Sequence, residues 1–171
     1  MIVDDKIISY VLYQMRTVAE VRRKCQKLKF EEDYIDETID YLIEAGYLND
    51  EKYAQKYVEN VLRIKKASAN EIKVGLMRKG VSEDIIDKYV DVPEVHEFEE
   101  ACCIELAQKK YKVTPDILKV KKFLLGKGYS YDAVAKSIDN LPNLEDNNWE
   151  NIIDFQVFCY IQRRSFRGRF R

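Results

Sequence analysis

The chain has 171 residues, of which 46% are apolar, 35% charged and 12% aromatic, and its formal net charge is −1. That apolar content excludes a wholly disordered chain, and only 6 Gly and 3 Pro speak against a sandwich or barrel built on many tight turns. No apolar run approaches the roughly 20 residues of a membrane helix. The opening Met1-Ile2-Val3-Asp4-Asp5-Lys6 lacks the basic and apolar regions of a secretory signal, so a cytoplasmic protein without a membrane partner is expected.

Apolar residues recur at three- and four-residue spacing, the helical period, and no segment alternates as a strand does. The expected fold class is all-α, with nine short helices in three sets. The first helix ends at Thr17. Val18, Val21, Cys25 and Leu28 stripe the second, which closes at Phe30, and the third runs to Gly46–Asn49. Ala54, Tyr57, Val58, Val61 and Leu62 stripe the fourth, up to Ala67-Ser68. The fifth stops at Gly80, where a left-handed C-terminal residue is needed, and Ser82 caps the sixth, which reaches Val92-Pro93. The seventh ends at Thr114-Pro115, with Thr114 expected to cap the eighth helix and Pro115 to open it. Gly128 and Ser130 close the eighth and start the ninth, which reaches Leu141-Pro142. Beyond it, Trp149, Ile152, Ile153, Phe155, Val157, Phe158, Tyr160 and Ile161 predict one more amphipathic helix, packed back on the third set. An arginine-rich tail, Arg163 to Arg171, follows.

The breaks repeat. Val18–Ile39, Ala69–Val90 and Ile117–Ile138 align without gaps, at offsets of 51 and 48 residues. The columns Val18/Ala69/Ile117, Val21/Ile72/Val120, Cys25/Leu76/Leu124, Ile35/Ile86/Val134 and Ile39/Val90/Ile138 are apolar throughout. Self-similarity at this period marks a repeat architecture. The units are placed at 1–46, 47–92 and 93–141, followed by the C-terminal helix and tail at 142–171. In series they make an elongated, modular protein.

Charge alternates with the repeat. Residues 16–29 hold six bases against Glu20, a net of +5, and residues 30–46 hold seven acids and no base. The second helices of the later units, 67–80 and 115–128, are again basic, at +2 and +3. One column is basic in all units, Arg22/Lys73/Lys121, and one is acidic, Asp33/Asp84/Asp132. The acids fall in first turns, where the helix dipole favours them. The basic column sits mid-helix and leaves two readings: pairing with the acidic neighbouring helix, or a ridge that meets a polyanion or an acidic protein surface.

Signs of catalysis are scarce. There is no phosphate-binding glycine loop, and His96 is the only histidine, so no nucleophilic triad can be assembled around it. Cys25, Cys102, Cys103 and Cys159 lack metal-ligand spacing and read as small buried hydrophobes. No catalytic residue, metal or cofactor is expected. The tyrosines, among them Tyr10, Tyr13, Tyr34, Tyr41, Tyr53, Tyr57 and Tyr89, read as core filler with the hydroxyl at the rim; stacking on single-stranded bases is the alternative.

The run Leu42-Ile43-Glu44-Ala45-Gly46-Tyr47-Leu48-Asn49-Asp50-Glu51-Lys52-Tyr53-Ala54, followed by Tyr57-Val58, resembles the junction between the first two repeats of the RecX family of bacterial RecA regulators. Glu71-Ile72-Lys73, Leu76, Arg78-Lys79-Gly80-Val81-Ser82 and Ile85-Ile86 resemble that family's second repeat, and Lys119-Val120-Lys121-Lys122-Phe123-Leu124 with Lys127-Gly128-Tyr129-Ser130 its third. Unit one departs in having Leu28-Lys29-Phe30, without glycine at its turn. The resemblance implies tandem three-helix units in a curved rod, laid in the groove of the RecA–DNA filament to lower its ATPase and strand exchange; repeats in series suggest a monomer. The contact candidates it suggests are Arg22, Arg23, Lys73, Arg78, Lys79, Lys121, Lys122 and Lys127, with Arg163, Arg164 and Arg167 of the tail. Two other readings stay open: a helical protein that binds DNA independently of RecA, and a scaffold for another protein.

Overall fold

The computed structural model describes residues 3–64 and 66–141. Among them are nine helices and no strand: α1 (Asp5–Tyr13), α2 (Val18–Lys27), α3 (Glu32–Glu44), α4 (Asp50–Ile64), α5 (Ala69–Lys79), α6 (Glu83–Val90), α7 (Pro93–Val113), α8 (Ile117–Gly126) and α9 (Tyr131–Asp139). Seven of the eight breaks between them fall where glycine, proline or a capping side chain punctuates the helical period; the break between α2 and α3, at Leu28-Lys29-Phe30, has none of these. The fold is all-α, with tandem three-helix repeats α1–α3, α4–α6 and α7–α9. The expected C-terminal helix and tail, 142–171, lie outside the described residues.

The second helix of each repeat starts in the same way. Thr17 caps α2 by accepting from the Glu20 amide at 3.2 Å, while the Glu20 carboxylate accepts from the Thr17 amide. Ser68 caps α5 through the Glu71 amide at 3.1 Å. In the third repeat Asp116 caps α8 through the Lys119 amide at 3.1 Å. This corrects the expectation at Thr114: that residue instead closes α7, its amide donating to the Lys110 carbonyl. Thr114 precedes proline, which keeps it out of the helical region, and the cap falls two residues later, in line with Thr17 and Ser68.

These helices also end alike. Lys29, Gly80 and Gly128 occupy one column and share left-handed backbones, with φ of 62°, 81° and 82°. Each lies in the same double-bonded turn: Phe30, Val81 and Tyr129 donate their amides to the Cys25, Leu76 and Leu124 carbonyls. Such a turn satisfies the last carbonyls of a helix. Lys29 is the one described residue other than glycine to adopt it, and a side chain there is strained by about 1–2 kcal/mol.

Neighbouring repeats meet through these two ends. The Thr17 hydroxyl donates to the Lys79 carbonyl at 2.6 Å, and the Ser68 hydroxyl donates to the Lys127 carbonyl at 3.2 Å. Both hydroxyl residues are fully buried. A carboxylate from the following repeat completes each joint. Asp50 accepts from the Val18 amide at 3.0 Å, and Glu99 accepts from the Ala69 amide at 3.1 Å. The other Glu99 oxygen accepts from the Ser130 hydroxyl, itself the cap of α9. Burial raises the Asp50 carboxyl above its ordinary value, opposed by the Val18 amide.

The described residues group into two compact units. The first comprises the chain up to Val58 with Lys73–Val90, and the second comprises Glu59–Ile72 with the chain from Asp91. In the first, Ile7, Val11, Val21, Cys25, Ile35, Ile39, Leu42 and Leu48 form one core. In the second, α7 packs on α8 and α9, and burial reaches Cys102, Cys103, Val120, Leu124 and Val134. Adjacent Cys102 and Cys103 are both buried because α7 is covered on more than one side. Burial pushes the Cys103 thiol up to about 11 against the opposing pull of its Ser137 bond, so it serves as core and not as a nucleophile. The columns Val21/Ile72/Val120, Cys25/Leu76/Leu124 and Ile35/Ile86/Val134 are buried throughout, whereas Val18, Ala69 and Ile117 are not. Tyr13 and Tyr41 are exposed, which corrects their placing in the core; Tyr10, Tyr34, Tyr53, Tyr57 and Tyr89 are half-buried, as rim residues are.

Two substitutions read this geometry. A Cβ at Gly80 would lie 2.3 Å from the Ala19 Cβ, whereas at Gly46, also left-handed, a Cβ would meet nothing within 4 Å. Urea unfolding is expected to show Gly46→Ala costing about 1–2 kcal/mol from backbone strain alone, and Gly80→Ala a further 1–3 kcal/mol or so from overpacking. Equal costs would contradict the close approach. Lys29→Gly is expected to stabilise the protein by about 1 kcal/mol in the same measurement; destabilisation would show that the lysine side chain contributes more than its backbone strain.

Candidate functional site

The second helices carry the cations singled out in the sequence, and the structure sorts them into three groups. Arg22 and Lys73 are neutralised within their own repeats. Arg22 reaches Asp36 at 2.5 Å and Glu32 at 3.3 Å, both on α3. Lys73 reaches Asp87 on α6 at 2.8 Å. The bond to Asp36 holds the Arg22 guanidinium above its ordinary value. In these two repeats the mid-helix base faces an acidic neighbouring helix, so little net field is left for a partner.

Arg23 and Lys79 belong to the joint. Arg23 donates to the Ala19 carbonyl at 3.0 Å and to the Lys79 carbonyl at 3.3 Å, the same oxygen that receives the Thr17 hydroxyl. The Lys79 ammonium pairs with Glu20 at 2.7 Å, which raises its proton affinity. A cation at a helix C-terminus complements the dipole; both residues close the structure here.

Arg78, Lys121 and Lys122 are exposed, and none is joined to an acid among the described residues. For Lys121 the cause is a pair of substitutions on the neighbouring helix. The positions filled by Glu32 and Asp36 on α3, and by Glu83 and Asp87 on α6, hold Tyr131 and Ala135 on α9. Helix α8 packs on α9, so the third repeat keeps the base and loses its counter-charge. Tyr131 is 80% exposed, and Leu118, one turn before Lys121, is 78% exposed. Lys127 lies 5.3 Å from the Phe123 ring centre, where Lys110 also approaches at 5.5 Å. These contacts hold cations over an aromatic face without cancelling their charge. Lys119 and Lys136 are paired, with Asp116 and Glu100.

The surface that results, on the second unit, has Lys121, Lys122 and Lys127 with an exposed tyrosine and an exposed leucine. It offers positive charge, a stacking face and an apolar contact. Neither Tyr131 nor Leu118 carries a charge, so the basic pattern of the sequence does not point to them. Aligning the third helices at positions 32/83/131 and 36/87/135 exposes the lost acids. Arg163, Arg164 and Arg167 lie outside the described residues. No helix among the described residues is long and apolar enough to cross a membrane. His96 is exposed and meets Asp91 at 2.8 Å.

Comparison with known proteins completes the assignment. Residues 5–42 match the family model described as RecX, first three-helix domain, and residues 49–89 match RecX, second three-helix domain. A regulatory protein RecX of Clostridium perfringens (strain SM101) is 39% identical over 139 residues, covering 76% of this chain and 64% of that protein. One of Clostridium botulinum (strain Eklund 17B) is 34% identical, covering 82% of this chain and 69% of that one. This chain thus spans under two thirds of the length of the first of these relatives. The crystal structure of RecX from Lactobacillus salivarius is similar with a TM-score of 0.74 and 31% identity, covering 80% of this chain and 92% of that one. A second structure, of a regulatory protein RecX, is similar in fold, with a TM-score of 0.70 at 23% identity. Repeats, turn motifs and these likenesses agree: the chain belongs to the RecX family of regulatory proteins.

Proposed function

We propose that this chain is a non-catalytic regulator of the RecA recombinase, which it reaches in the cytoplasm by binding the RecA–DNA filament. Binding in the filament groove lowers ATP hydrolysis and strand exchange. The units at 1–46, 47–92 and 93–141 act as successive contact modules. Membership of a family of regulatory proteins supports the reading. The observation that carries it is the electrostatic difference between the repeats: Lys121 has lost the acids that neutralise Arg22 and Lys73. A base kept without its counter-charge costs little in water but is ready to pair with an anionic partner. Arg78, Lys121, Lys122 and Lys127 are therefore assigned to the contact, and Arg22, Arg23, Lys73 and Lys79 to holding the fold.

The exposed Tyr131 beside these lysines favours one other reading, direct binding of single-stranded DNA by stacking and phosphate contact. It predicts an affinity for bare DNA that falls with salt, at a logarithmic slope of about −0.7 per phosphate neutralised.

The test is RecA ATPase on single-stranded DNA, titrated with this protein below one molecule per RecA. Inhibition is expected. Lys121→Glu with Lys122→Glu is expected to raise the concentration for half-inhibition about tenfold, a scale set by desolvated interfacial charges. Arg22→Glu with Lys73→Glu is expected to lower thermal stability instead, with a smaller effect on inhibition per folded molecule. No inhibition at excess protein would contradict the assignment to RecA. Equal effects of the two pairs would contradict the division between contact and structural cations.

A further inference from the structure

Arg22 and Arg23 are taken up by the fold, but other cations of the first repeat are not. The half-buried Tyr10 ring on α1 has the Arg16 guanidinium 4.0 Å from its centre and the Lys24 ammonium of α2 at 5.6 Å. The two charges are thus held within about 10 Å of each other. Arg16 otherwise meets neutral groups, the Tyr10 carbonyl at 3.4 Å and the Gln14 carboxamide oxygen. Lys27, one turn beyond Lys24, is exposed. Arg16, Lys24 and Lys27 are joined to no acid among the described residues. A ring face orients cations without cancelling their charge. Next to Arg16 in the chain, three large apolar side chains face water: Leu12 is 62% exposed, Tyr13 83% and Met15 38%. Apolar groups clustered in this way mark a contact site.

Repetition shows that a three-helix unit does not require this surface. The columns of Arg16 and Lys24 hold Ala67 and Gly75 in the second repeat, and Pro115 and Phe123 in the third. Ala67 is buried, and a Cβ at Gly75 would lie 2.1 Å from the Tyr57 hydroxyl oxygen. Neither position of the second repeat offers charge or open surface. The paired cations on an aromatic support belong to the first repeat alone.

The surroundings say which anion fits. Aliphatic Leu12 and Met15 gain little from a phosphate backbone. Tyrosine, methionine and arginine are instead the side chains enriched in protein interfaces, and tyrosine and arginine carry much of their binding energy. Helix α3 of the same unit presents Asp33, Glu37, Asp40 and Glu44, all exposed, which repel an extended polyanion. We propose that Arg16, Lys24 and Lys27, with Leu12, Tyr13 and Met15, dock an acidic, partly apolar protein surface. In the RecA–DNA filament, the carboxylates they meet belong to RecA. The proposal rests on the assignment to RecA and adds a contact on the first repeat to the one on the third.

The test measures binding of the full chain to RecA-coated single-stranded DNA and, in parallel, to the same DNA bare. Arg16→Gln with Lys24→Gln is expected to weaken filament binding about tenfold and to leave affinity for bare DNA unchanged. Tyr13→Ala, at a side chain that faces water, is expected to weaken filament binding about fivefold. Helical circular dichroism and the urea midpoint check that each variant is folded. Wild-type binding to the filament no tighter than to bare DNA would remove the assignment to RecA, and this contact with it. Tight wild-type binding that neither folded variant weakens would overturn the contact alone. Loss of bare-DNA affinity by the same factor as filament affinity would overturn it too, by assigning the cations to phosphates.

Discussion

The structure depends on how a helix N-terminus is satisfied when another repeat is laid over it. The first amides of α2 and α5 have no partner within their own helices, and the next repeat removes them from water. A hydroxyl and a carboxylate solve this together. Thr17 and Ser68 each accept a hydrogen bond from an amide of their own helix and donate one to a carbonyl of the next repeat. Asp50 and Glu99 take the first helical amide from the far side. Thr17 and Ser68 are each both a local cap and a long-range contact, so one hydroxyl serves the helix N-terminus and the stacking of repeats. The left-handed glycines belong to the same device, because the carbonyl that receives the hydroxyl sits next to the turn they close.

The electrostatic pattern follows from this arrangement. Mid-helix bases on α2 and α5 lie beside α3 and α6, whose acids occupy the facing positions. Cations near the joint are drawn into it, as Arg23 and Lys79 are. The third repeat keeps the basic helix, but tyrosine and alanine stand in place of the acids. Charge that neutralises itself in two repeats is left open in the third, and there it stands beside exposed aromatic and apolar groups.

Much of this was legible in the sequence, for local reasons. Helix breaks other than the one at Leu28-Lys29-Phe30 are marked by glycine, proline or a capping side chain within one turn of the break, and the buried columns at Val21, Cys25 and Ile35 follow from periodicity and repetition. Thr114 misled because Thr-Pro fits a helix start locally, while the column through Thr17 and Ser68 points to Asp116. Asp50 and Glu99 were illegible because their partners lie 32 and 30 residues away, and a capping acid has the same composition as a solvated one. The fate of the basic column was legible only in part. Its charge is visible along one helix, but its neutralisation depends on residues 36, 87 and 135 of another.

The measurement that bears most directly on this account compares binding to bare single-stranded DNA with binding to the same DNA coated by RecA. Labelled DNA and anisotropy or sedimentation would serve, at physiological salt. Tighter binding to the RecA-coated strand, weakened when Lys121 and Lys122 are reversed, is what a filament regulator working through its third repeat requires. Equal or tighter binding to bare DNA would contradict it and make this chain a nucleic-acid-binding helical repeat instead.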